Sequence, residues 1–194
     1  TLKFKNEFKK ELRHSDNNQF DSLSTRIKIV ESQNKLLTIY SWDEKTGGSW
    51  HSIRALAKFR TEDHKFKVIE ITGGSAEGDE LTGELIYQIH EFLFANKIYY
   101  LTFGWGSGGG GHHYTIVQIF EIRKDNLINC KNFFNSNENL IVRAPRSSKI
   151  NLKYNSERCE ITHNEFKLNE ETGFFYETGS IAKWKFLDNK FRKQ

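Results

Sequence analysis

Six side chains able to do chemistry gather around two glycine-bearing segments. Trp42, Asp43 and His51 flank Gly47-Gly48, and Trp105, His112 and His113 lie in or just after the run from Gly104 to Gly111. Three imidazoles can ligate zinc or copper when loops bring them together. Adjacent residues of a strand point to opposite faces, however, so His112 and His113 do not readily share one ion. No Asp or Glu completes an HxH or HExxH spacing. No metal or cofactor is therefore expected. Gly104-x-Gly106-x-x-Gly109 formally matches a dinucleotide fingerprint. That motif works only when a helix N-terminus follows to hold the pyrophosphate. His113-Tyr114-Thr115-Ile116-Val117 follows instead, a run of strand formers.

The two tryptophans are the stronger candidates. Each is expected to end a strand just before a glycine loop. A flat ring among small neighbours stacks well on a sugar or a partner surface. The same ring placed between sheets would simply fill the core, and the sequence leaves both readings open. Cys159 and His163 share strand parity and have the chemistry of a nucleophile and its base. No third group orients them, so no catalytic residue is assigned. Glu77, Asp79, Glu80 and Glu84 fit no EF-hand spacing and read as a solvated acidic linker.

These residues need a frame. Phe4, Phe8 and Leu12 make one apolar stripe, which predicts a helix over 1–14. Residues 1–25 form a helical segment on this reading, with Asp21 and Ser22 able to cap a further turn. From Arg26 the period changes to two. Strands are expected from Ile27, over 36–42, from Trp50 to Arg60 and over 66–71. The order then returns: a strand over 85–94, a turn at Asn96-Lys97, strands over 98–103 and 113–123, and another over 127–133. Shifting the chain by 63 residues places Trp42 on Trp105, Gly47-Gly48 on Gly110-Gly111, Ile53 on Ile116 and Arg60 on Arg123. A third unit closes on Trp184-x-Phe186 and the turn Asp188-Asn189.

The expected fold is mainly β: a short N-terminal helix, then a single β domain over 26–194. It comprises repeated four-stranded antiparallel meanders near 26–72, 84–136 and 159–194, arranged as propeller-like blades or a β-sandwich. Thr72 to Thr82 and Asn135 to Asn155 read as linkers.

The run Ile39-Tyr40-Ser41-Trp42-Asp43, followed by Thr46-Gly47-Gly48-Ser49-x-His51, resembles a motif of secreted or lipoprotein-like bacterial proteins. Lys97-x-Tyr99-Tyr100-Leu101 and the closing aromatic hairpin Trp184 to Phe191 are similar as well. The family has no assigned activity, so the resemblance implies a location: secreted, periplasmic or held to a membrane as a lipoprotein. The run Gly106 to Gly111 departs from it.

Composition bounds the rest. The 194 residues are 37% hydrophobic and 14% aromatic, enough for a real core. No run of 18 apolar residues exists to span a bilayer as a helix. Net charge is +4 and the cations are mixed with acids along most of the chain, which does not favour nucleic acid. Cys130 and Cys159 can make one disulfide or stay as free thiols. The chain starts at Thr1 and contains no Met, for which removal of a signal peptide is one explanation. The leading expectation is a non-enzymatic envelope or secreted module that binds a protein or glycan. The alternative is a hydrolase, metal-dependent or not, built on His51 with His112 or His113.

Overall fold

A computed structural model describes residues 2–14, 20, 23, 25–45, 51–71, 83–108, 111–134 and 139–194. Helix α1 (Leu2–His14) carries the expected stripe and has Arg13 in its last turn, a cation that suits the negative end of its dipole. Phe4 and Phe8 stack at 5.5 Å between ring centres, and Leu12 is fully buried.

The β strands form three antiparallel sheets. The first runs β1 (Lys28–Glu31), β2 (Leu37–Asp43), β3 (Ile53–Arg60) and β4 (Phe66–Ile71) in sequence order. The second runs β5 (Leu85–Phe94), β6 (Lys97–Ser107), β7 (His112–Arg123) and β8 (Asn126–Asn129), with β9 (Leu140–Pro145) also pairing with β7. The third runs β10 (Lys153–Asn155), β11 (Glu160–Leu168), β12 (Phe175–Leu187) and β13 (Lys190–Lys193). Hairpin turns fall where two residues reach positive φ: Ala95-Asn96 at 50° and 59°, and Asp188-Asn189 at 48° and 65°. That is the geometry a two-residue turn between twisted strands requires.

Three apolar clusters show how the sheets stack. Phe8 and Leu12 of α1 meet Tyr40, Trp42, Leu56 and Val68 on one face of the first sheet. Its other face, with Leu37, Ile39, Ala57 and Phe59, meets Ile86, Tyr100 and Phe120 of the second sheet. The far face of the second sheet, with Leu101, Phe103, Val117 and Ile119, packs on Ile161 and Phe191 of the third. The order is helix, sheet, sheet, sheet, a sandwich arrangement without a closed barrel among the described residues. Both faces of β2 and the middle of β7 are covered, so burial runs continuously along them instead of alternating, and Thr38, Ser41, Thr115 and Gln118 are buried among the apolar residues.

The structure corrects several boundaries. The third strand starts at Ile53, and Trp50 lies outside the described residues. The segment 127–133 is a short strand followed by a 3-10 turn over Lys131–Phe133. The supposed linker after Asn135 holds β9, an alternating strand whose Leu140, Val142 and Ala144 enter the core. The linker 72–82 and the cap at Asp21 and Ser22 lie outside the described residues. Glu84 is buried against Gly104, not solvated.

The 63-residue shift maps the inner face of the first sheet onto the inner face of the second, Leu37 onto Tyr100 and Ala57 onto Phe120. It does not preserve pairing. Tyr40 lies opposite Leu56, whereas Phe103 lies opposite Val117 and Ile119 faces Leu101. The slip is two residues, which keeps every side chain on its face while changing its cross-strand partner.

Ser41 joins the first two sheets. Its hydroxyl accepts the Ile86 N–H at 3.0 Å and donates to the Ile86 carbonyl at 3.3 Å. Ile86 is on the edge strand β5 beside an irregularity in its pairing with β6. Both groups would otherwise be buried unmet. Ser41→Ala should cost about 1–3 kcal/mol for these orphaned groups. Urea unfolding checks this; an unchanged midpoint would show that the link contributes nothing.

Candidate functional site

Four of the six expected residues meet at one end of the first two sheets. Asp43 closes β2, and His51 stands just before β3. The His51 Nδ1–H donates to Asp43 Oδ2 at 2.6 Å. The other carboxylate oxygen accepts the Lys45 N–H at 2.8 Å. Burial pushes the Asp43 pKa up, but the His51 and Lys45 hydrogen bonds outweigh it and hold the group below its usual value.

The second sheet supplies the rest. Ser107 Oγ accepts the His51 backbone N–H at 2.8 Å, tying the two sheets together. The His51 ring meets Trp105 edge-on at 5.4 Å. Trp105 Nε1 donates to His113 Nδ1 at 2.8 Å, and His113 Nε2 lies 2.9 Å from the Ser148 carbonyl. An indole N–H only donates, so His113 Nδ1 is the acceptor and its proton sits on Nε2, directed to Ser148. Burial lowers the His113 pKa, the Ser148 carbonyl opposes this, and Arg146 adds to the lowering. The residues form a chain of contacts from Asp43 through His51, Trp105 and His113 to Ser148.

Trp42 does not join them. It is 5% exposed and points to α1, with Phe4 at 5.5 Å and Phe8 at 6.0 Å, both edge-on. Side-chain parity sends it to the helix-covered face with Tyr40, where it fills the core between α1 and the first sheet. His112 also lies apart. Its ring packs against Phe175 of the third sheet at 5.5 Å and lies across Gly108. His112 and His113 thus point apart, as their adjacency requires.

The glycine run is not all loop. Strand β6 continues to Ser107, so Gly104 and Gly106 are strand residues and Trp105 stands two places before the strand end. Gly106 is required by contact: a Cβ there would collide with the Tyr114 ring, whose hydroxyl donates to the Gly83 carbonyl at 2.9 Å. Gly109 and Gly110 lie outside the described residues.

Sequence reasoning misses Ser107, Arg146 and Ser148. Arg146 donates its backbone N–H to the Gly111 carbonyl at 3.1 Å and its guanidinium to the Gly108 carbonyl at 3.3 Å. Ser107 acts through its hydroxyl, Ser148 through its carbonyl and Arg146 through its backbone N–H and guanidinium, and nothing in their spacing announces that. It misses a second tryptophan–histidine bond too: Trp184 Nε1 donates to His163 Nε2 at 3.1 Å. The His163 Nδ1–H meets the Asn164 carbonyl at 2.7 Å, and the Cys159 thiol donates to the Ser156 carbonyl. Cys159 and His163 therefore make no nucleophile–base pair. Cys130 and Cys159 are both free thiols.

No group of three or more His, Cys, Asp or Glu able to hold a metal exists among the described residues. No helix among them is long and apolar enough to cross a membrane. Comparison with known proteins finds no matching family model, no matching curated protein and no matching solved structure.

Proposed function

We propose that the protein is a non-enzymatic binding module, secreted or held at the cell envelope, that takes a protein or glycan against Trp105. The observation that carries this reading is how the polar atoms of the cluster are engaged. The Trp105 N–H is taken by His113, and both His113 nitrogens are occupied. The bonds hold a half-buried indole in one orientation, and its carbon skeleton is what a ligand would meet. A fixed aromatic contributes binding without the entropy cost of ordering a side chain. The envelope location rests on the resemblance of the residues around Trp42 and His51 to secreted, lipoprotein-like proteins.

The hydrolase alternative draws support from Asp43–His51, since a carboxylate on Nδ1 is how an imidazole is oriented as a base. An oligosaccharide and peptide array probed with wild type and Trp105→Ala separates the two. Saturable binding that falls about thirtyfold in the variant, the range of an interface anchor, supports the module. Binding that survives Trp105→Ala removes Trp105 from the site. Esterase or peptidase turnover that is lost in His51→Gln would establish the alternative.

A further inference from the structure

The opposite end of the same two sheets holds a cavity of about 520 Å³. It lies between the β3–β4 turn, the β5–β6 turn and the end of β7. Its size falls in the range of small-molecule sites. Leu36, Ile98, Tyr100 and Ile122 give it an apolar lining. The Tyr100 ring is held at its hydroxyl by the Asn34 amide at 3.0 Å. The turns around the opening are clamped: the Glu62 N–H donates to the Lys124 carbonyl at 3.2 Å, and the Lys124 N–H to Glu62 Oε1 at 2.7 Å.

The charge on the lining is unequal. Arg60, Lys97 and Arg123 stand against Glu62 and Glu121. Glu121 is buried, with a side chain 5% exposed, and holds both Lys97, at 2.9 Å, and Arg123. One carboxylate shared by two cations leaves that cluster positive. Hydrogen bonds from Arg123 and Lys97 keep the carboxylate ionised despite its burial. Arg60 makes no ion pair or side-chain hydrogen bond with any described residue. It lies one strand position beyond the apolar Phe59, at the rim of the cavity.

We propose that this cavity binds a small organic anion with an apolar body, of the size of an aromatic carboxylate, with Arg60 as the charged contact. The apolar lining takes the ring, and the guanidinium takes the carboxylate, for which its planar fork is suited. Lys97 and Arg123 add a favourable field while remaining on Glu121. The site is independent of Trp105, which lies at the other end of β6.

Titration of the ¹⁵N-labelled protein with phenylacetate and with phenylacetamide, its neutral counterpart, tests the proposal. Phenylacetate should give saturable amide shifts over 60–64 and 96–98. Phenylacetamide should bind about tenfold more weakly or worse, as a lost charge-assisted hydrogen bond implies. Arg60→Gln should weaken phenylacetate to a similar degree, and Arg60→Lys should recover part of the loss. An otherwise unchanged spectrum will show that both variants are folded. Trp105→Ala should leave this binding intact, which separates the cavity from the proposed binding module. Absence of saturable shifts, equal binding of acid and amide, an unaffected Arg60→Gln, or shifts confined to the Trp105 end would each overturn it.

Discussion

Trp42→Ala should destabilise the protein by about 3–5 kcal/mol, whereas Trp105→Ala should cost less than half of that. The two rings match in the repeat, so sequence alone assigns them one fate. Trp42 is 5% exposed and seals α1 against the first sheet through Phe4 and Phe8. Removing it leaves a cavity between helix and sheet that neither side fills without moving. Its indole N–H is buried with no hydrogen-bond partner among the described residues. Trp42→Phe should therefore be far milder, since it keeps a ring and removes an unmet donor. Trp105 is half-buried and borders solvent through His51, whose side chain is 44% exposed. Water can occupy much of the space it leaves. Urea unfolding of the three variants measures this, and equal losses for the two alanine variants would contradict the assigned burial.

Acidification from pH 7.5 to 5 should destabilise the fold, with up to about 1.4 kcal/mol lost per pH unit for each histidine of lowered pKa that titrates. His90, His113 and His163 all have pKa values lowered by burial. His90 lies between the rings of Phe103 and Tyr154, each at 5.3 Å, and its Nε2 has no partner among the described residues. His113 has Arg146 nearby, which disfavours a second positive charge. His163 has the Asn164 carbonyl and Glu165 favouring protonation and Lys193 opposing it. In each case the folded protein takes up its proton at lower pH than the unfolded chain does. Between those two values the unfolded state binds more protons, so stability rises with pH. The contribution is complete above the ordinary histidine pKa near 6.5 and is lost as pH falls through the window below it. His90→Phe should remove its share and flatten the profile. A midpoint that stays constant from pH 7.5 to 5 would show that these rings are not held neutral.

Local pattern alone carries much of this protein. The stripe of Phe4, Phe8 and Leu12 determines the helix, because an apolar face every four residues is buried together only on a helix. Period-two runs and Asp188-Asn189 determine the hairpins, because neighbours in a meander are neighbours in sequence. The 63-residue shift identifies inner and outer faces, since parity is a property of a single strand. Pairing register is a relation between strands, and there the two meanders differ by two residues. β9 is hidden because its partner β7 is more than twenty residues away along the chain and its neighbours are polar.

For the candidate site, spacing picks out Asp43, His51, Trp105 and His113, which cluster beside glycines at strand ends. It also offers Trp42 and His112, and only the tertiary structure separates these from the others. Which face of the first sheet receives α1 decides that Trp42 is core and that Asp43, one residue on, points toward His51. That His112 meets Phe175 of the third sheet and His113 meets Trp105 is decided only by how the ends of the sheets come together. The cavity around Arg60 and Arg123 is legible only as a repeated arginine. Its existence depends on how far apart two sheets stand where their turns diverge, a distance set by the packing of Tyr100, Phe120 and Phe59 and not by any local run of residues.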